Sequence, residues 1–133
     1  MQEGKTILVL GAGIGGIVAS SLLRRGLEKA HRIILFDQEP NHSFQPSYLW
    51  VMTGDRSQQS ISRPFALLKQ DGIEFVEGKI VEISPERKFV SLADGREFIG
   101  DYLVIALGAD LAPEIIQDCP TNVQQPHAKL QCF

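Results

Sequence analysis

The sequence predicts an α/β fold with a parallel sheet and an inserted antiparallel meander, and three apolar runs carry that prediction. The first run, residues 6–10, is β-branched and aliphatic, and a glycine-rich turn and a helical pattern follow it. A second run at 32–36 completes a strand–helix–strand unit. A third run returns at 102–106. Nearly continuous apolar strands of this kind are typical of parallel sheets that are covered on both faces.

Composition places the chain among ordinary globular domains. It has 133 residues, 44% of them hydrophobic and 22% charged, which is about one domain's length and argues against disorder. The net charge is −3 and no block of Lys or Arg occurs, so no nucleic-acid partner is expected. Its two cysteines, Cys119 and Cys132, exclude a disulfide-rich scaffold and lack CxxC spacing.

The run from residue 6 to residue 23 contains no charge and reaches the lower length limit of a membrane span. However, four glycines interrupt it, and its apolar residues gather at its two ends. Arg24 and Arg25 stand where a signal-peptide cleavage site would be needed. We therefore expect no transmembrane segment, no signal peptide and a cytoplasmic location.

The first helix is predicted over residues 14–28, because Ile14, Val18, Leu22 and Leu23 recur at helical spacing. Residues 41–60 are polar and rich in chain breakers, so irregular structure is expected there. A short helix is predicted over residues 62–70, ending at Gly72. The residues that this helix would turn inward are Phe65, Leu67 and Leu68.

Four short strands are predicted at residues 73–76, 79–83, 88–92 and 96–99, with turn residues between them. The Asp94-Gly95 pair is a strong hairpin signal. The last three of these strands form the antiparallel meander. The apolar strand at 102–106 then returns to the parallel sheet, and we expect it to lie beside the first strand.

The glycine turn has the pattern GxGxxG, formed by Gly11, Gly13 and Gly16 between a predicted strand and a predicted helix. The first glycine permits the tight turn, the second lets a pyrophosphate approach the backbone, and the third lets the helix pack closely on the strand. The N–H groups at the start of the helix then face an anion. This context predicts a dinucleotide site, and a purely structural glycine turn is the alternative.

Asp37 ends the second strand, about twenty residues beyond the glycine motif, as this type of site requires. Its carboxylate can accept hydrogen bonds from the hydroxyls of an adenosine ribose, and its charge would repel a 2′-phosphate, which disfavours NADP. Ligands bind at the carboxyl ends of parallel strands, so Gly11, Asp37 and residues 106–108 should converge on one crevice. The motif alone leaves FAD and NAD open.

These motifs together resemble the N-terminal FAD-binding part of the pyridine nucleotide-disulfide oxidoreductase superfamily. The resemblance lies in residues 11–16 (GAGIGG), Asp37, residues 76–81 (VEGKIV) and residues 101–108 (DYLVIALG). It implies a Rossmann-like FAD-binding domain over 1–113, incomplete relative to the family, with an irregular tail over 114–133. The stretch NHSFQPSYLW at 41–50 is most similar to sulfide:quinone oxidoreductases, and type II NADH:quinone dehydrogenases carry a similar but distinguishable one.

The resemblance implies FAD as the cofactor and assigns residues to it. The glycine motif would hold the pyrophosphate, Asp37 would bind the ribose, and the main chain at Ile80 would pair with the adenine edge. Ser47 would lie near the flavin end. Many members have threonine where this chain has Leu107, which places one side-chain contact in doubt. The cofactor-binding residues are Gly11, Ala12, Gly13, Ile14, Gly15, Gly16, Asp37, Gln38, Ser47, Ile80, Ala106 and Gly108.

The same resemblance implies two-electron transfer from sulfide to a quinone in a complete enzyme, or from NADH in the type II dehydrogenases. Complete members are far longer, can lie peripherally on a membrane, and use a redox cysteine pair. Cys119 and Cys132 fall in no family motif, so no catalytic residue is assigned. A non-catalytic, truncated nucleotide-binding module stays open as the alternative. Absent later parts would expose apolar sheet and helix faces, which favours self-association.

The remaining candidates are histidines and aromatic residues. His31, His42 and His127 share no metal-ligand spacing, so no metal site is predicted. Phe44, Tyr48 and Trp50 lie in the family-like loop, where they either flank an isoalloxazine ring or fill the core beneath the loop.

Overall fold

A computed structural model of the chain describes residues 4–109. The predicted tail at 114–133, together with Cys119, His127 and Cys132, lies outside the described residues. The chain divides into two compact units. Within the described residues, one unit comprises residues 4–42 and 63–108, and the other comprises residues 43–62 and Ala109. The division at residue 113 stays a prediction.

The elements of the described residues include all seven predicted strands and the first predicted helix. They are β1 (Thr6–Leu10), α1 (Ile14–Gly26), β2 (Arg32–Asp37), β3 (Asn41–Ser43), α2 (Tyr48–Met52), β4 (Ser62–Pro64), β5 (Glu74–Glu77), β6 (Ile80–Ser84), β7 (Phe89–Leu92), β8 (Glu97–Ile99) and β9 (Tyr102–Ile105). Short 3₁₀-helices occupy Gln45–Ser47, Gln59–Ile61 and Phe65–Asp71. None of the described helices is long and apolar enough to span a membrane.

Four strands of the first unit form a parallel sheet in the order β5-β2-β1-β9. The return strand β9 therefore lies beside β1, as predicted. The two central strands are almost wholly buried, which explains their continuous apolar sequence. The α/β fold and its parallel sheet are confirmed.

Each face of this sheet has its own apolar core, because successive side chains of a strand point to opposite faces. On the side of α1, the buried side chains include Ile7, Val9 and Leu35. On the other side, Leu8, Leu10, Ile34 and Phe36 pack with Val90 and Leu92 of β7. Burial of this apolar surface is the main favourable term in folding.

Strands β6, β7 and β8 form an antiparallel sheet in that order, which confirms the predicted meander. The Asp94-Gly95 turn joins β7 to β8, with Gly95 in the left-handed region at φ +87°. Phe98 of β8 meets Phe36 of β2 edge to face, with ring centroids 4.9 Å apart. The meander is thereby packed onto one face of the parallel sheet.

Helix α1 presents a different face to the sheet from the one that its apolar spacing suggests. Of the four predicted apolar positions, Leu23 packs against the core, whereas Ile14, Val18 and Leu22 are 58%, 50% and 60% exposed. Gly16 and Ser20 are buried instead. The close approach of Gly16 to the glycine turn fixes the rotation of the helix, so the residues one turn apart from it face the strands.

The helix also ends earlier than predicted, at Gly26 rather than residue 28. Leu27 is extended, and the Arg24 guanidinium donates to the carbonyl oxygens of Leu27 at 3.0 Å and His31 at 2.8 Å. These bonds satisfy carbonyl groups of the chain that leaves the helix. A basic side chain at a helix C-terminus is also favoured by the helix dipole.

The segment predicted as a helix over 62–70 differs from that prediction. It consists of β4 and the 3₁₀-helix Phe65–Asp71, which ends at Gly72 with φ +77° as expected. Phe65 is buried and Leu68 packs against the same core, whereas Leu67 is exposed. A 3₁₀-helix places residues i and i+3 on one side, so Phe65 and Leu68 turn inward together and Leu67 does not.

The expectation of irregular structure over 41–60 is only partly correct. In the second unit, short elements follow one another, with α2 between two 3₁₀-helices. The Arg56 guanidinium donates to the hydroxyl of buried Ser47 at 2.8 Å and lies 4.8 Å above the ring of Trp50. A cation above an aromatic ring stabilises such a compact loop.

Candidate functional site

The carboxyl ends of the parallel strands are joined by backbone hydrogen bonds. The Gly11 N–H donates to the Phe36 carbonyl at 2.9 Å, and the Ala106 N–H donates to the Leu10 carbonyl at 2.8 Å. The Gly78 N–H donates to the Asp37 carbonyl at 2.8 Å. The predicted convergence of the glycine turn, Asp37 and the chain after β9 is confirmed.

Two of the three motif glycines are required by the packing of the protein itself. Gly11 has φ +95°, and a Cβ there would lie 2.4 Å from the Ala106 carbonyl oxygen. A Cβ on Gly16 would lie 1.8 Å from the Gly11 carbonyl oxygen. Both distances are far below contact, so neither position accepts a side chain without movement of the backbone.

Gly13 differs from these two glycines, because a Cβ there would meet no atom within 4 Å. The protein's own packing therefore does not require glycine at this position. The open space above the Gly13 backbone is what close approach of a phosphate group needs. The glycine at position 13 is therefore explained by a ligand and not by the packing of the fold.

The start of α1 is open to an anion. Gly13 is the N-cap residue and supplies no side-chain cap, and the first turn has no acidic residue. The first N–H groups of a helix have no partner within the helix, and the dipole makes that end positive. Gly15 faces the chain after β9, since a Cβ there would lie 3.8 Å from the Ala106 side chain.

The Asp37 carboxylate is held by two backbone N–H groups. Its Oδ2 accepts a hydrogen bond from Ala12 at 2.7 Å, and its Oδ1 accepts one from Glu39 at 3.0 Å. An ionised carboxylate accepts about four hydrogen bonds, so both oxygens keep capacity for a ligand. The side chain is half-buried and fixed in orientation.

The Ala12 contact is one that sequence reasoning missed. Ala12 is a predicted cofactor residue, but its N–H donates to Asp37 and its side chain is buried. The bond to Glu39 has a local signal, because an aspartate often bonds the backbone two residues on. The bond to Ala12 spans 25 residues and has no such signal.

An open cavity of about 440 Å³ lies at these strand ends. This volume falls within the usual range for small-molecule and cofactor sites. Four predicted cofactor residues line it, namely Gly11, Asp37, Gln38 and Ile80. The other lining residues are Phe36, Gly78, Lys79, Val81, Glu82, Ile83 and Leu107.

The chain between β5 and β6 forms one wall of the cavity, and the meander holds it from behind. The Ala93 N–H donates to the Lys79 carbonyl at 2.8 Å, and Arg96 Nη2 donates to the Glu77 carbonyl at 2.5 Å. A Cβ on Gly78 would lie 2.8 Å from the Leu92 side chain, so the wall fits closely against β7. Sequence reasoning did not assign Arg96 or Gly78 to the site.

The chain that follows β9 carries two predicted cofactor residues, Ala106 and Gly108. Ala106 lies close to the glycine motif, since a Cβ on Gly11 or on Gly15 would meet it, and Gly108 has φ +70°. Leu107 lines the cavity, which is the position where the family pattern has threonine. The cavity wall therefore carries an apolar side chain at that point.

Ser47 belongs to the second unit and is almost fully buried, with its hydroxyl bonded to Arg56. Its predicted place near the flavin end stays a prediction. Phe44 and Trp50 are 50% and 43% exposed, so they do not fill a core beneath the loop. Their alternative role beside an isoalloxazine ring is not tested.

Comparison with known proteins establishes the family. The model of the pyridine nucleotide-disulphide oxidoreductase family matches residues 5–131. This chain belongs to that family. Members of the pyridine nucleotide-disulphide oxidoreductase family are FAD-binding flavoproteins, and the parallel sheet with its inserted meander is their Rossmann-like FAD-binding fold.

Among relatives in this family, the sulfide-quinone reductase of Aquifex aeolicus is 36% identical over 80% of this chain. The type II NADH:quinone oxidoreductase of Haemophilus influenzae is 31% identical over 79% of it. The crystal structure of the Aquifex aeolicus sulfide:quinone oxidoreductase superposes with a TM-score of 0.77 at 34% identity, over 82% of this chain. The matched region is 25–27% of each of these relatives.

Proposed function

We propose that this chain is the FAD-binding portion of a sulfide:quinone oxidoreductase-like flavoenzyme, and that it holds the adenosine and pyrophosphate of FAD. The observation that carries the proposal is the Asp37 carboxylate, fixed by Ala12 and Glu39 at the edge of the cavity. A carboxylate at the end of the second strand is suited to bind ribose hydroxyls. The family and the fold supply the cofactor's identity.

The parts of the cofactor are assigned to this chain's residues as follows. The open backbone at Gly13 and the start of α1 receive the pyrophosphate, whose charge the helix dipole stabilises. Asp37 receives the ribose hydroxyls, with Gln38 beside it. The wall at Ile80 receives the adenine.

Bound FAD supplies two-electron oxidation and reduction. The residues of this chain bind the cofactor and fix its orientation, and none of the described residues is assigned a role in moving electrons. Sulfide as donor and a quinone as acceptor are supported by the likeness to the Aquifex aeolicus protein. About three quarters of that relative lies outside the matched region, so both substrates remain proposals.

NADH is the second candidate donor, because the type II NADH:quinone oxidoreductase of Haemophilus influenzae matches at 31% identity over a similar stretch. The cavity described above would hold the same part of FAD in either enzyme. Quinone reduction by the FAD-loaded protein, with sulfide or with NADH as donor, distinguishes the two candidates. Reduction with neither would favour a non-catalytic nucleotide-binding module.

Titration of the chain with FAD, followed by flavin fluorescence, tests the site. Asp37→Asn removes the charge but retains an oxygen that can accept from Ala12, and we expect it to weaken FAD binding by about tenfold or more. Asp71→Asn alters an exposed carboxylate outside the cavity and should leave the affinity unchanged. Equal affinities for the unaltered protein and Asp37→Asn would contradict the proposed role of Asp37.

A further inference from the structure

Arg96 lies on the meander, immediately after the hairpin turn, and reaches across to the end of β5. Its Nη2 donates to the Glu77 carbonyl, while its Nε donates to Asp94 Oδ2 at 2.8 Å. The Arg96 N–H donates to Asp94 Oδ1 at 3.0 Å. The hairpin turn therefore fixes the guanidinium in one direction, toward the wall of the cavity.

The peptide group between Glu77 and Gly78 is bound at both of its polar atoms. Its carbonyl accepts from Arg96, and its N–H donates to the Asp37 carbonyl. Glu77 is also the register partner of Asp37 in the parallel sheet. This single peptide thus connects the residue proposed to bind the ribose with the meander behind the wall.

Gly78 allows Arg96 to come this close. A Cβ on Gly78 would lie 3.2 Å from Arg96 Nη2, tighter than an ordinary contact. Two residues later the chain reaches Ile80, which lines the cavity. The hydrogen bond from Ala93 to the Lys79 carbonyl fixes the intervening peptide.

We propose that Arg96 is a positioning residue of the nucleotide site, which sets the place of the Gly78–Ile80 wall by holding the Glu77 carbonyl. The inference rests on the proposed function, since the wall is the place assigned to adenine. Arg96 need not touch the ligand. Its hydrogen bond to Asp94 lowers the pKa of that carboxyl.

Arg32 is a matched control for Arg96. It is an exposed arginine with a bidentate bond to one carboxylate, at 3.0 and 2.9 Å from Glu74, and it lies at the amino ends of β2 and β5. Loss of either exposed ion pair should change global stability little. Of the two arginines, only Arg96 lies behind the cavity wall.

The experiment compares Arg96→Ala, Arg96→Lys and Arg32→Ala in the full chain, with AMP affinity measured by calorimetry. We expect Arg96→Ala to weaken AMP binding by about fivefold to tenfold, on the scale of one ordinary hydrogen bond. Arg96→Lys should recover part of the affinity, because an ammonium can still donate to the Glu77 carbonyl. Arg32→Ala should bind AMP as the unaltered protein does.

Amide hydrogen exchange of the ligand-free protein gives a second readout. The Gly78 N–H should exchange faster in Arg96→Ala and not in Arg32→Ala, because the opening is local to the wall. Unchanged exchange and unchanged AMP affinity in Arg96→Ala would overturn the inference, as would equal effects of both alanine variants. Absence of AMP binding by the unaltered protein would contradict the proposed function, and faster Gly78 exchange would still support the role of Arg96 in holding the wall.

Discussion

At the scale of single residues, the glycine motif separates into two kinds of position. Gly11 and Gly16 are required because side chains there would collide with the backbone oxygens of Ala106 and Gly11 respectively. Gly13 faces open space and is needed only if something binds there. The sequence pattern presents all three alike, and only the geometry distinguishes a glycine that the fold requires from one that a ligand requires.

Alanine substitution should therefore act differently at the two kinds of position. Gly16→Ala forces a Cβ onto the Gly11 carbonyl oxygen, and we expect the free energy of unfolding to fall by about 3 kcal/mol or more. Gly13→Ala should cost about 1 kcal/mol, since alanine is a poor N-cap residue, while FAD binding is lost or greatly weakened. Urea unfolding and FAD titration measure the two effects. Equal loss of stability in both variants would contradict the distinction.

At the scale of elements, the strands were predictable and the rotation of the helix was not. Apolar runs and the Asp94-Gly95 turn specify the two sheets locally, because strand periodicity and turn chemistry act over a few residues. The face of α1 depends on Gly16 meeting Gly11 in three dimensions, and its apolar stripe pointed elsewhere. The glycine motif and Asp37 could be found from sequence, because their types and spacing form a known pattern. The bond from Arg96 to Glu77 could not, because it joins residues that meet only in the folded chain.

The pairing of β1 with β9 should respond to acid. Asp101 Oδ2 accepts from the Thr6 N–H at 2.8 Å, and Oδ1 lies 3.1 Å from Lys5 Nζ. The bond from Thr6, followed by that from Lys5, lowers the pKa of Asp101 below its usual value. A lowered pKa in the folded state contributes stability that is present above the unfolded value, near pH 4, and is lost as pH falls through the folded value.

We therefore expect the free energy of unfolding to decline below about pH 4. Asp101→Asn should show a smaller decline, because it removes this carboxyl from the titration. Urea unfolding between pH 7 and pH 3 measures both. Part of the decline should remain, since Arg32 lowers the pKa of Glu74 in the same way. An identical decline in the variant would show that Asp101 does not contribute.

At the scale of the whole molecule, the first unit exposes apolar surface on α1 and on β9. Ile14, Val18 and Leu22 form a stripe along the helix, and Tyr102 and Ile105 are more than half exposed. Within the described part of the chain, β9 is an edge strand of the parallel sheet. Exposed apolar stripes and open strand edges favour association between molecules.

The isolated chain should consequently self-associate as its concentration rises. A charge within the helical stripe, Leu22→Lys, should lower the weight-average mass measured by sedimentation. Leu67→Lys changes an exposed leucine of similar accessibility outside the stripe and serves as the control. A monomer at every concentration, or an equal effect of both variants, would contradict this prediction.

The bond between Asp37 and Ala12 has a thermodynamic consequence for the proposed site. The carboxylate offered to the ribose also sets the backbone of the turn offered to the pyrophosphate. Two groups that share such a partner do not contribute independently to the free energy of binding, so a change at one alters the contribution of the other. We therefore expect the free energy of binding a dinucleotide at this site to differ from the sum of those for a nucleoside and a phosphate, because a single aspartate links the two halves of the site.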